Sequence, residues 1–189
     1  MARVRDIGID EVDAAARPVY QRFAAEYGPF LNQVKVFAHR PVALRHIMGM
    51  LLEMADQPIL DKRHLEIAIV TVSAINRCDY CVAHHAPRLV ELGLADTTIA
   101  RILEDDCPGL GPIDRLVRDY AAQITRDHNR VGDALFDQLR AHFDEAQIVE
   151  LTLRITLCTF FNKFNDVMQL DMEEEAAVFH HEHGTKASL

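Results

Sequence analysis

A chain of 189 residues has room for one domain with a substantial core. Its formal net charge is −9, and its 20 Lys and Arg gather in no basic block, which argues against nucleic acid as a partner. The longest apolar run, LEIAIVTVSAI, is too short to cross a bilayer, and the opening MARVRDIGIDEVDAAARP is charged and polar, so a soluble cytoplasmic protein without membrane contact is expected.

Gly and Pro punctuate the chain at Gly28-Pro29, Pro41, Pro58 and the CPGLGP loop, and the segments between carry helical periodicity. The first predicted helix covers residues 10–27, with a break or kink at Pro18. A second covers 41–54 and starts on Pro41 at a first-turn position. Asp61 is the predicted N-cap of a helix through residue 75, buried on most sides despite its β-branched content, with Asn76 as its left-handed end. Further helices are expected over 78–93, 96–103, 114–127, 131–142 and 144–170. The chain reads as all-α, with no strand pairs and no glycine-rich phosphate loop.

Four cysteines in a reducing compartment are thiols by default. Cys107, in a loop, and Cys158, in an apolar run, read as inert. The pair in NRCDYCVAHH is different, because a histidine follows the second cysteine by four residues. If Cys78 opens a helix, Cys78 and His85 differ by about 20° in azimuth and Cys81 lies within about 60° of both. One face then carries two thiols close enough to bridge and an imidazole one turn beyond Cys81. A helix N-terminus favours a thiolate. Such a pair fits attack on an oxidant, formation of a sulfenic acid and its resolution as an internal disulfide. It also fits half a zinc site, with Cys78, Cys81 and His85 as three ligands and His84 or a distant side chain as the fourth, or two small buried residues.

Glu66 is the only acid in LEIAIVTVSAIN, twelve residues before Cys78. It either meets His85 when the two helices fold back on each other, orienting the imidazole, or it faces solvent or caps a neighbour. VELTLRITLCTFFNKFN aligns without gaps on LEIAIVTVSAINRCDYC and places Asn162 and Asn165 where Cys78 and Cys81 stand. Two amphipathic helices give that much by chance.

Glu66, eleven intervening residues, CxxC at Cys78 and Cys81, three residues and His85 resemble the AhpD-like alkylhydroperoxidases, grouped with the carboxymuconolactone decarboxylases. The lead-in LDKRHLEIAI and the closing ELTLRITLCTFFNKFND are similar to the peroxidase-related members. The resemblance implies an AhpD-like helical bundle over residues 30–170, preceded by a helical arm at 1–29 and followed by a polar tail at 171–189. It implies thiol-dependent reduction of hydroperoxides, with Cys81 as the peroxidatic thiol, Cys78 as its resolving partner, and His85 and Glu66 as a proton relay. An external thiol or lipoyl-type reductant and a homo-oligomer, trimer or hexamer, are expected with it, without cofactor or metal. Tyr80 departs from the histidine that the best-known members carry before the second cysteine, and His84, a secondary candidate, points about 100° away from His85.

The alternatives are a decarboxylase-like lyase, for which a redox CxxC is not expected, and a non-catalytic or zinc-binding oligomer. Met48, Met50 and Met54 read as core or subunit interface, and Phe160, Phe161 and Phe164 as packing residues. His39 and His46, near Arg40 and Arg45, read as exposed or capping rather than as lining a channel, and the tail's His180, His181 and His183 as solvated rather than as a metal site.

Overall fold

The structure is a computed structural model describing residues 2–26 and 30–183, without the side chains of residues 179, 180, 182 and 183. All regular structure among the described residues is helical: α1 (Arg17–Glu26), α2 (Leu31–Phe37), α3 (Pro41–Ala43), α4 (Gly49–Asp56), α5 (Lys62–Asn76), α6 (Asp79–Glu91), α7 (Asp96–Ala100), α8 (Pro112–Asp127), α9 (Asp133–Arg140), α10 (Glu145–Met168) and α11 (Glu174–His183). None of them is long and apolar enough to cross a membrane.

The N-terminal segment departs from expectation. Only a single 3-10 turn, Ile9–Glu11, precedes α1, which starts at Arg17 with Pro18 as its second residue. A first-turn amide has no intrahelical acceptor to lose, so Pro18 begins this helix rather than kinking it. The helical run from Pro41 is interrupted by a wider π turn over Leu44–Met48. α2 was not foreseen, nor was α11, which lies against α6 within the segment expected as a tail.

α5 is the central post, packed on α6, α8 and α10. Asp61 caps it as predicted, accepting from the Arg63 amide at 2.7 Å. Ile67, Ala68, Val70 and Val72 are all buried, and that all-round burial lets β-branched residues stand in a helix. Its end is one residue later than predicted. Asn76 stays helical and donates its amide to Asn162 at 2.9 Å, while Arg77 takes the left-handed conformation at φ 57°. That turn reverses the chain and starts α6 against α5. At the other end, Arg63 grips the Asp114 carboxylate of α8 through Nε and Nη2, the latter at 2.8 Å. Asp114→Ala is expected to lower stability by about 2 kcal/mol and Tm by roughly 4–8 °C, short of a fully buried pair because water reaches Arg63. A thermal melt monitored by circular dichroism checks this.

Two apolar clusters form the interior. One joins α5, α8, α9 and α10. The other joins Ile7, Val12, Tyr20 and Phe23 to Phe37, Met48, Phe161 and the pair Cys78 and Cys81. Residues between Ile7 and Phe23 therefore build the wall behind the cysteines, with the Tyr20 hydroxyl donating to the Ile7 carbonyl at 3.1 Å. Phe161 and Phe164 pack on Phe37, as expected, whereas Phe160 meets Phe37 at its edge and is 41% exposed. Met48 is fully buried in the same cluster.

Candidate functional site

Cys78 is the N-cap of α6 and Cys81 its third residue, so both sulfurs sit at the positive end of the helix. The Cys78 amide closes on the Ser73 carbonyl of α5 at 3.0 Å, which fastens the cap to the preceding helix. Both thiols are free and buried. The hydrogen bond it shares with Cys81, and then burial, push the Cys78 thiol far above the ordinary thiol range. Asp166 of α10 lies against Cys78: burial pushes its carboxyl up, and a hydrogen bond from the Cys78 thiol pulls the other way.

His85 is two turns into α6 and buried. Its Nδ1 lies 2.7 Å from Oε2 of Glu66, whose other oxygen accepts from Arg88 Nη1 at 3.1 Å. Of the two arrangements the spacing allowed Glu66, the structure adopts the one against His85. Burial opposes the Glu66 charge, but His85 and Arg88 outweigh it and hold the carboxyl at about 2. For His85 burial wins over Glu66 and pushes the imidazole below its usual value. The neutral ring therefore donates from Nδ1 to the carboxylate and keeps Nε2 as its basic nitrogen.

Cys81 and His85 open on one cavity of about 50 Å³, lined also by Phe23, Phe30, Gln33 and Phe161. Phe30 stacks on His84 with centroids 4.7 Å apart and touches His85 at 5.3 Å, while the Arg88 guanidinium lies over the Phe30 ring, 5.4 Å from its centroid. A wider groove of about 850 Å³ runs along Glu66 and Arg88 and shares Ile69 and Arg154 with the cavity.

The secondary candidates Tyr80 and His84 belong to a separate cluster around Glu173. The Tyr80 hydroxyl donates to Oε1 at 3.0 Å, His84 Nε2 lies 2.7 Å from Oε2, and the Asn32 amide donates to Oε1 at 2.7 Å. Burial and then Glu173 push the Tyr80 phenol up, so it is a hydrogen-bond donor and not a base at neutral pH. Glu173 stands directly before α11 and ties it to α2 and α6. Glu173→Ala is expected to release α11 while leaving the core intact: hydrogen exchange across residues 174–183 should accelerate at least roughly tenfold with α5 unchanged.

No group of three or more His, Cys, Asp or Glu that could hold a metal occurs among the described residues, so the zinc reading finds no site there. The side chains of His180 and His183 lie outside the described residues, and His181 is exposed. His39 is exposed, with Nε2 2.8 Å from the Arg5 carbonyl. Cys158 is buried and pushed up to about 12, as befits an inert thiol.

Several contributors escaped the sequence reading. Arg88 had a local signal, three residues beyond His85 on the same helix face. Phe30, Gln33, Asp166 and Glu173 had none, because they come from α2 and the C-terminal region. Asn165, whose amide touches Cys81, was marked in the sequence by its alignment with Cys81 in the internal echo, with no sign of the contact itself.

Residues 41–112 match the Carboxymuconolactone decarboxylase family. The uncharacterized protein YdfG of Bacillus subtilis (strain 168) is 24% identical over 139 residues, 72% of this chain and 94% of its own. An uncharacterized peroxidase-related protein of Ralstonia eutropha JMP134, described as an alkylhydroperoxidase AhpD core, superposes with a TM-score of 0.77 at 20% identity, covering 93% of this chain and 94% of that one. The debrominase Bmp8 superposes with a TM-score of 0.73 at 16% identity, covering 90% and 92%. At such identities these solved structures speak for the fold alone. The family match takes in the helices that carry Glu66, Cys78, Cys81 and His85, so this part of the chain is similar to the carboxymuconolactone decarboxylase family, and the fold is the one shared with the AhpD-like structures.

Proposed function

We propose that the protein is a thiol-dependent peroxidase that reduces hydroperoxides through Cys78 and Cys81. The observation that carries this reading is the single cavity on which Cys81 opens beside His85, a neutral histidine held by the ionised Glu66. His85 takes the Cys81 proton, and the thiolate attacks the distal peroxide oxygen. The O–O bond breaks, Cys81 becomes a sulfenic acid, and the departing alkoxide receives the proton back from His85 to leave as an alcohol. The Cys78 thiol then attacks the sulfenic sulfur, and the products are a Cys78–Cys81 disulfide and water. An external thiol or lipoyl-type dithiol returns both cysteines to thiols.

The two cysteines support this reading over a decarboxylase-like lyase, whose chemistry has no use for a redox pair. Debromination, which the name of Bmp8 carries, is the second reading, since a dithiol also supplies two electrons for it. The cavity's about 50 Å³ favours the peroxide, because a dry cavity must approach ~150 Å³ to take a benzene ring. Val149, Leu153, Phe160 and Val167 expose an apolar stripe on one face of α10 and support assembly as a homo-oligomer.

The test is to mix reduced protein with one equivalent of a small organic hydroperoxide in a stopped-flow instrument and count free thiols. Rapid loss of two thiols per chain, absent in Cys81→Ser, is the expected result. No loss over minutes, or loss with a brominated arene and none with peroxide, refutes the proposal.

A further inference from the structure

The two sulfurs of the pair meet different neighbours on α10. Its last turns bring Asn165 and Asp166, consecutive residues, to the start of α6. Asp166 is the one beside Cys78. Asn165 is fully buried and points its Nδ2 at Cys81 Sγ, 3.3 Å away. Its Oδ1 accepts from the Nε2 of Gln33, also buried, at 2.8 Å. A side-chain amide can turn over and present oxygen instead of nitrogen. Gln33 holds the Asn165 oxygen, and thereby keeps the amino group on the sulfur. α2 thus reaches Cys81 through α10, across a contact that spans 132 residues of sequence.

An N–H directed at sulfur favours the thiolate over the thiol, and the low dielectric of a buried site strengthens that preference. Cys78 has the backbone N–H of Cys81 directed at it instead, and the nearby Asp166 carboxylate opposes a negative charge there. The amide also suits the next state, in which the oxidised sulfur must be held within reach of Cys78. A purely structural role is less economical: a buried aliphatic side chain would fill the same space without two polar groups to satisfy.

We infer that Asn165 is a further catalytic residue, donating its amide to the Cys81 sulfur so that Cys81 rather than Cys78 is the attacking thiolate, and that Gln33 is the positioning residue that fixes the amide. This rests on the proposed role of Cys81 but is tested without peroxide.

The experiment follows iodoacetamide alkylation of Cys81 at pH 7 in the Cys78→Ser protein, read by peptide mass spectrometry, together with thiolate absorbance corrected by a Cys78→Ser/Cys81→Ser control. Asn165→Asp, which puts a carboxylate against the sulfur, is expected to slow alkylation about tenfold or more and to lower the thiolate absorbance in proportion. Gln33→Met keeps volume and removes the donor, and roughly a threefold slowing is expected. Loosened packing alone would expose a buried cysteine and speed alkylation, the opposite sign. Alkylation in both variants at the parent rate or faster overturns the inference, and if Asn165→Asp does not fold, Gln33→Met decides alone. A parent protein whose thiols ignore hydroperoxide while the alkylation effects stand would refute the peroxidase reading and leave the Asn165 assignment in place.

Discussion

Cys81→Ser is expected to abolish consumption of hydroperoxide down to the uncatalysed background, because a serine hydroxyl neither ionises near neutral pH nor accepts an oxygen atom. Cys78→Ser should behave differently. Its Cys81 still reacts once per chain, but the sulfenic acid has no partner thiol and accumulates, to be captured by dimedone and counted by mass. Steady turnover with a dithiol reductant should stop in both variants, while the first oxidation persists only in Cys78→Ser. If dimedone labels Cys78 in Cys81→Ser at the parent's rate, the roles of the two thiols are reversed. The environments support the stated order: Cys78 is the thiol pushed up by its bond to Cys81 and by burial, and it is the one that should remain protonated until the second step.

The second large effect concerns Glu66. Glu66→Gln leaves the shape of the site but removes the charge that orients His85, and the rate of Cys81 oxidation is expected to fall about 10²-fold or more. If Glu66 acts only through His85, the double variant Glu66→Gln/His85→Gln should be no slower than His85→Gln alone, a non-additivity that stopped-flow measurements read directly. Multiplied effects would mean that Glu66 works by another route.

Stability should follow the same groups. Glu66 is held at about 2 in the fold. Against about 4.3 in the unfolded chain, that difference stabilises the protein by a few kcal/mol above pH ~4.3, and the contribution is lost as pH falls towards 2. His85 acts in the same direction: its lowered value means the fold prefers the neutral ring, so its contribution is complete above pH ~6.5 and lost on acidification below that. Urea unfolding across pH 7 to 3 should show stability falling throughout. Glu66→Gln should flatten the acid end of that profile.

Much of this was legible along the chain because its physics is local. Asp61 at 2.7 Å from the Arg63 amide, the Asp144 cap that accepts from Gln147 at 2.8 Å, and the apolar spacing of α5, α8 and α10 depend on residues a few positions apart. So does the shared face of Cys81 and His85 on α6, which is helical geometry and nothing more. Where local signals competed, the sequence reading slipped by short distances. Asn76 is a good left-handed residue, yet its amide has a better partner in Asn162, and Arg77 takes the strained backbone instead. Pro18 reads as a breaker until the helix is known to begin at Arg17.

From sequence alone, then, came the helical class, the position of the thiol pair at a helix start, and a short set of residues with the right chemistry. The tertiary structure decided which of them meet. Glu66 reaches His85 because α5 and α6 reverse at Arg77, a choice that spacing left open. Glu173 ties Tyr80 and His84 to α11 from about 90 residues away, and Gln33 sets Asn165 on Cys81 from the far end of the chain. Those contacts depend on burying the apolar faces of several helices at once. No window of the sequence holds that energy, and so no motif could announce them.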